Sequence, residues 1–145
     1  MSLTRRLASL DLVHRVNTHA LEAVGADLSR IRARQADIVD QQETLKAQAQ
    51  FETSNTTPES YAFLSGYLAS VEARQLQLAE QAEVLEEQAE LLEERLLAAF
   101  QEVKTNEAVQ GQTRQDIRQE AERKEMLTLD DASRALYMLK RANRF

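Results

Sequence analysis

Apolar residues recur along the first third of the chain at alternating spacings of three and four. The repeat begins at Leu3 and continues without a break to Ala49. This spacing places the repeating side chains on one narrow stripe of an α-helix, as in the seam of a coiled coil. A first helix over residues 1–50 is therefore predicted. Its stripe consists of Leu3, Leu7, Leu10, His14, Asn17, Leu21, Val24, Leu28, Ile31, Gln35, Ile38, Gln42, Leu45 and Ala49.

A polar stretch, FETSNTTPES, interrupts the repeat and contains the only proline of the chain. Thr57 followed by Pro58 is typical of a helix N-cap with proline in the first helical position. We therefore expect a turn over residues 51–58 and a second helix that begins at residue 59.

A second repeat with the same spacing follows this turn. Because two long helices joined by a short turn run in opposite directions, the pattern predicts an antiparallel hairpin in which residues 59–107 pair with the first helix. The second stripe consists of Leu64, Leu68, Val71, Gln75, Leu78, Ala82, Leu85, Ala89, Leu92, Leu96, Ala99 and Val103.

Side-chain size suggests a register for this hairpin. Large residues meet small ones if Val24 faces Ala89 and Ile31 faces Ala82, as close packing requires. Leu28 then faces Leu85. The main competing register is shifted by one heptad, so that each residue of the first helix faces a residue of the second helix that lies seven positions earlier in the sequence.

Polar residues occupy several seam positions, namely His14, Asn17, Gln35, Gln42 and Gln75. Such residues either fix the register of a coiled coil or are simply tolerated in a long one. Both interpretations remain open from the sequence.

Beyond Val103 the seam positions become polar, and Gly111 lies in the same stretch. Residues 108–145 are therefore expected to extend past the first helix as an uncovered helical segment. Thr128 with Asp131 has the form of a capping box. The sequence allows either a kink near Thr128 or a continuous helix whose seam has shifted its phase.

The last residues combine apolar and basic side chains that the hairpin cannot cover. Leu136, Met138, Leu139 and Phe145 supply the apolar part, beside Lys140 and Arg141. Exposed patches of this kind usually mark interaction sites.

Composition supports an all-α fold, since the chain has three Gly, one Pro and no Trp. The absence of cysteine excludes disulfides and thiol chemistry. No apolar run approaches the roughly 20 residues of a membrane span, so no direct membrane insertion is expected. The net charge of −6 disfavours nucleic acid as a partner.

Charge is distributed unevenly along the chain. Residues 1–34 carry a net charge of +3, residues 35–58 carry −3, residues 59–95 carry −7 and residues 96–145 carry +1. An antiparallel hairpin therefore has a basic end near its two termini and an acidic shaft and turn.

The sequence contains no arrangement typical of catalysis. His14 and His19 are five residues apart and lie on different sides of a helix, unlike a zinc pair spaced by four. There is no glycine-rich phosphate loop, and the glutamates of residues 80–94 fit a solvated face. No catalytic, metal or cofactor site is predicted, and the protein is not expected to be an enzyme.

The layout resembles the FliJ/YscO family of small stalk proteins from flagellar and virulence type III secretion systems. After the turn, the second helix opens with Tyr61, Phe63, Leu64, Tyr67 and Leu68 and continues through a Gln/Glu/Leu-rich section to Phe100 and a polar stretch around Lys104. The segment LDDAS, Leu129 to Ser133, is similar to the Asp-Glu-x-Ala-type ending of the family. Lysine is sparser than in typical members.

This resemblance implies a non-enzymatic stalk, similar in architecture to the coiled-coil stalk of rotary ATP synthases. Such a protein inserts into a hexameric export ATPase, reaches toward the membrane export gate protein, and in some members handles export chaperones. The implied location is cytoplasmic, peripheral to the inner membrane. The alternative is a generic coiled-coil scaffold or tether that self-associates or binds partners through its C-terminal overhang.

Exposure arguments place the expected partner contacts on the overhang and the terminal end of the hairpin. The candidate residues are Arg5, Arg6, Leu97, Phe100, Lys104, Arg114, Arg118, Arg123, Lys124, Arg134, Leu136, Lys140, Arg141 and Phe145.

Overall fold

A computed structural model describes residues 2–144 as two α-helices joined by a turn. Helix α1 spans Leu3–Ser54 and helix α2 spans Tyr61–Ala142. The two helices pack against each other and the described residues contain no strand, so the predicted all-α helical hairpin is confirmed. Within those residues, neither helix has a stretch long and apolar enough to cross a membrane.

The chain divides into two compact units, each containing part of both helices. One unit consists of Ala20–Ala99, and the other of Met1–His19 together with Phe100–Phe145. We call them the turn unit and the terminal unit.

In the turn unit, the predicted stripes are the covered faces of the two helices. Every stripe position between Leu21 and Ala99 is buried or half-buried, whereas most positions between them are exposed. Leu78 and Ala89 of α2 are fully buried and Ile38 of α1 is nearly so. Removal of these apolar side chains from water is the main force that holds the two helices together.

The register expected from side-chain size was wrong. Each residue of α1 faces a residue of α2 that lies about one heptad later than expected, whereas the competing register places that residue one heptad earlier. The Gln75 amide donates to the Gln42 carbonyl oxygen at 2.9 Å, and the Gln35 amide donates to Glu86 at 2.7 Å. Ile31 lines a surface groove with Leu91 and Leu92, not with Ala82.

The physical reason is that size matching does not distinguish registers that differ by a whole repeat. Polar side chains that need a particular partner do distinguish them. The observed register brings the Gln35 amide of α1 to the Glu86 carboxylate of α2 at 2.7 Å, and a shift of seven residues would separate this pair.

Ion pairs and a charged hydrogen bond flank the seam of the turn unit. Arg32 of α1 pairs with Glu86 at 3.4 Å and also with Glu93. Arg74 of α2 donates to the Gln41 side chain at 3.3 Å. These groups are largely exposed to solvent, so each contact contributes little stability, on the order of 1 kcal/mol or less.

The turn is closed by a reciprocal pair of side-chain bonds. The Thr57 hydroxyl accepts the Ser60 backbone N–H at 3.3 Å, and the Ser60 hydroxyl accepts the Thr57 N–H at 3.0 Å. This is the geometry of a capping box, with serine in place of the usual Glu or Gln. Thr57 is thus a cap, although the α-helix itself starts at Tyr61 rather than 59, and α1 continues to Ser54 rather than 50.

In the terminal unit, the covered stripe of α2 continues further than its apolar residues. Val103, Asn106, Gln110 and Thr113 are all buried, and Ile117 is half-buried. Side-chain cover of α2 therefore ends near residue 117, whereas the sequence suggested an uncovered segment from residue 108. The difference follows from the shifted register, which brings the start of α1 against later residues of α2.

Residues 118–144, which we call the tail segment, are exposed at every position. Helix α2 passes through Thr128 without a break, and the Thr128 hydroxyl donates to the Lys124 carbonyl oxygen at 2.9 Å. Thr128 therefore lies inside a continuous helix and caps nothing. Of the two possibilities that the sequence left open, the structure has the continuous helix.

Two leucines of α2 test the packing of the turn unit. Leu78 is 0% exposed and Leu76 is 64% exposed. We expect Leu78→Ala to lower the free energy of unfolding by about 2–5 kcal/mol, because it leaves a cavity in the seam. Leu76→Ala, the matched control, should change it by no more than about 0.5 kcal/mol. Urea denaturation followed by circular dichroism at 222 nm measures both, and equal effects would contradict the packing described.

Candidate functional site

A polar seam joins the helices of the terminal unit. The Asn106 side chain donates to the Leu10 carbonyl oxygen at 3.0 Å, and the Gln110 amide donates to the Asp11 carboxylate at 2.7 Å. Arg114 also reaches Asp11, at 3.4 Å. One carboxylate of α1 thus binds two side chains of α2, and an amide satisfies a backbone carbonyl as well. Because these bonds need matched partners, they fix which residues of the two helices meet.

His14 and Thr18 each have a buried polar atom that this network does not satisfy. His14 lines a groove with Asp11, Arg15 and Gln110, among other residues. Its Nδ1 atom and the Thr18 hydroxyl oxygen are buried and have no hydrogen-bond partner among residues 2–144. A buried polar atom without a partner lowers stability, so His14 weakens the seam that its neighbours specify.

Phe100, Lys104 and Glu107 form a small cluster on α2. The Lys104 ammonium lies 5.4 Å from the centre of the Phe100 ring, a cation–π distance. The same ammonium pairs with Glu107 at 3.1 Å. Phe100 is itself exposed, so this cluster presents an aromatic face beside a charge.

The tail segment exposes apolar side chains all around its helix. Leu136 and Leu139 are each 61% exposed. A chain in water leaves so many large apolar groups uncovered mainly where another surface takes them up. The exposed apolar residues are Met126, Leu127, Leu129, Leu136, Tyr137, Met138 and Leu139.

Most residues predicted from sequence to contact partners are exposed members of the terminal unit. Only Phe100 and Lys104 contact each other among the contacts described, and Arg114 is occupied by Asp11. Leu97 is exposed but belongs to the turn unit, and Phe145 lies outside the described residues. The other exposed candidates are Arg5, Arg6, Arg118, Arg123, Lys124, Arg134, Leu136, Lys140 and Arg141.

Sequence reasoning missed the polar seam. Gln110 and Thr113 fall in the segment from residue 108 that the sequence predicts to be uncovered, because the seam positions beyond Val103, beginning with Asn106, are polar. Their spacing, however, continues the three-and-four repeat that begins at Leu64. The spacing was the signal that could have identified them as covered positions.

Among residues 2–144, no group of three or more His, Asp or Glu side chains is arranged so that it could hold a metal ion. The polar groups of the terminal unit instead bond to each other across the seam.

No protein-family model matches the sequence, and no curated protein or solved structure matches it either.

Removal of the Asn106 amide from the polar seam should lower the stability of the protein. Asn106→Ala should lower the free energy of unfolding by about 0.5–1.5 kcal/mol, because it removes the hydrogen bond from the side chain to the Leu10 carbonyl oxygen. Thr105→Ala, at an exposed neighbouring position, should change it by about 0.5 kcal/mol or less. Urea unfolding of both variants against the parent measures the difference. If Asn106→Ala matched its control, the bond would not matter for stability.

Replacement of His14 should raise the free energy of unfolding, whereas replacement of Asn106 should lower it. His14→Leu should raise the free energy of unfolding by about 1 kcal/mol, because it replaces an unpartnered buried nitrogen with an apolar group. His19→Leu is the control, since His19 is exposed on the same helix. Thermal unfolding at neutral pH compares the two melting temperatures, and a lower value for His14→Leu would show that the imidazole has a partner in solution.

Proposed function

We propose that this chain is a non-enzymatic stalk protein of a flagellar or virulence type III export apparatus. In this role it inserts into the ring of the hexameric export ATPase and links it to the membrane export gate, with a further role in handling export chaperones. It acts in the cytoplasm, peripheral to the inner membrane.

The observation that carries this proposal is the tail segment. Helix α2 has 82 residues and α1 has 52, so a long part of α2 is not covered by any other part of the chain that the structure describes. That part exposes leucines and cations together, the two kinds of group that a protein–protein contact uses as anchors. A helical hairpin with one helix left uncovered supports a role in joining other proteins.

The resemblance adds the identity of those partners. The aromatic opening of α2 has Tyr61 and Phe63 exposed, and Phe100 with Lys104 forms an exposed pair on the same helix. These four residues, which contribute to the resemblance, are therefore accessible for binding.

Charge gives the contacts their direction. The last part of the tail segment carries Arg134, Lys140, Arg141 and Arg144 and no carboxylate. A concentration of one charge sign raises the rate of encounter with a surface of opposite sign. We therefore expect the tail segment to bind an acidic surface of its partner. Its leucines should become buried in the contact.

Binding to a purified hexameric export ATPase tests the proposal. The double variant Lys140→Glu/Arg141→Glu should weaken binding by roughly tenfold or more, because two attractive contacts become repulsive. Arg34→Glu/Lys46→Glu is the matched control, since it makes the same change in net charge at exposed positions of the turn unit. Biolayer interferometry at low and high salt measures both, and the difference should shrink as salt rises.

Two results would count against the proposal. If the parent chain neither bound the ring nor changed its assembly or hydrolysis, the stalk function would be wrong. If both charge variants weakened binding equally, the tail segment would not be the contact.

A further inference from the structure

The tail segment has an apolar face with the spacing of a coiled coil. Leu129, Ala132, Leu136 and Leu139 follow one another at intervals of three, four and three. Such intervals place all four side chains on one face of the helix. The three leucines are 57–61% exposed, so no other part of residues 2–144 covers this face.

The charges of the tail segment are divided along its length. Residues 118–131 carry five carboxylates and three cations, whereas residues 132–144 carry four cations and no carboxylate. The last ion pair along the described chain is Lys124 with Glu120 at 3.5 Å. Beyond it, within residues 125–144, the acidic and basic side chains form no ion pairs with each other or with the rest of the described chain.

We propose that this face binds the same face of a second copy of the chain, with the two tail segments antiparallel. An antiparallel alignment centred near residue 134 brings Glu125, Asp130 and Asp131 of each segment beside the basic residues 137–144 of the other. A parallel alignment would instead place four cations beside four cations, which like charges oppose. The charge pattern therefore favours a second copy of the chain as the partner, and it favours the antiparallel orientation of the two tail segments.

Side-chain size agrees with this alignment. When Leu129 faces Leu139 of the second copy, Ala132 faces its Leu136, so the central layers combine a large residue with a small one. The two-fold axis then passes near residue 134. Ser133 and Ala135 flank it on either side, and such small residues let the two helices approach closely.

This pairing is independent of the proposed function, because it needs no ATPase and can be measured on the purified chain alone. The chain has no cysteine, so each introduced thiol is unique. Thr128 and Ala142 occupy flanking positions that lie near each other between antiparallel copies. They are far from their own counterparts in that arrangement.

The experiment uses the full-length variants Thr128→Cys and Ala142→Cys under mild oxidation. An equal mixture should form a cross-linked dimer that contains one copy of each variant, whereas each variant alone should stay largely monomeric on non-reducing gels. Mass spectrometry of the linked peptides identifies the pair. In a parallel dimer each variant would instead cross-link to itself, which would overturn the proposal.

Light scattering tests whether the apolar face holds the pair. The parent should show dimers at tens of micromolar concentration, and Leu136→Glu/Leu139→Glu should raise the dissociation constant by more than about tenfold, because it places charges in the interface. Both leucines are exposed within one chain, so this variant should keep the helicity of the parent. Leu76→Glu, a similarly exposed leucine of the turn unit, is the control and should not change the dissociation constant.

Any other outcome decides against the proposal. A monomeric parent at these concentrations would exclude the pairing. A dimer that Leu136→Glu/Leu139→Glu left unchanged would show that another surface is responsible.

Discussion

The mutual covering of two apolar stripes is the interaction on which this structure depends. Each helix has an apolar face whose exposure to water is unfavourable. Within each of the two units, the two helices bury these faces against each other. Since α1 has 52 residues and α2 has 82, the cover is unequal, and the surplus of α2 remains in water. The exposed tail segment is thus a direct result of two helix lengths that do not match. Both the proposed contacts with an export apparatus and the proposed pairing of two copies use that surplus.

Polar groups inside the seam decide how the stripes align. A leucine stripe can slide by a whole repeat and still bury leucines, but an amide must find a particular acceptor. Gln35 bonds to the Glu86 carboxylate in the turn unit, and Gln110 bonds to the Asp11 carboxylate in the terminal unit. Apolar burial therefore supplies most of the stability, while a few hydrogen bonds supply the specificity. His14 shows that the seam also retains a polar group that it does not satisfy.

Much of this fold could be predicted from the spacing of apolar residues alone. The three-and-four repeat identified both stripes, because the spacing of apolar residues determines which face of a helix is covered. Thr57 was correctly identified as a capping residue, although the turn continues to Ser60. The register could not be found in the same way, since repeats of similar leucines and alanines are nearly equivalent under a shift of seven. The predicted start of the overhang moved with it, from residue 108 to near 118.

The candidate site was predictable to the extent that it depends on exposure. Arg134, Leu136 and Lys140 are exposed because no part of α1 extends far enough to cover them. The bond between Arg114 and Asp11 was not predictable, since it depends on the register. What the exposed residues bind remains a prediction, because recognition depends on a partner's surface that one chain's sequence does not contain.

The absence of cover also determines how the backbone of the tail segment behaves. A single helix in water is held by its own hydrogen bonds and by weak contacts such as that between Thr128 and the Lys124 carbonyl. Helices without tertiary support are only marginally stable, so residues 118–144 should open and close locally while the seam stays intact. Their amide protons should exchange with deuterium well before those of the covered residues. Binding to this segment therefore costs the conformational entropy of holding it helical. This cost lowers the affinity of each association and makes it readily reversible.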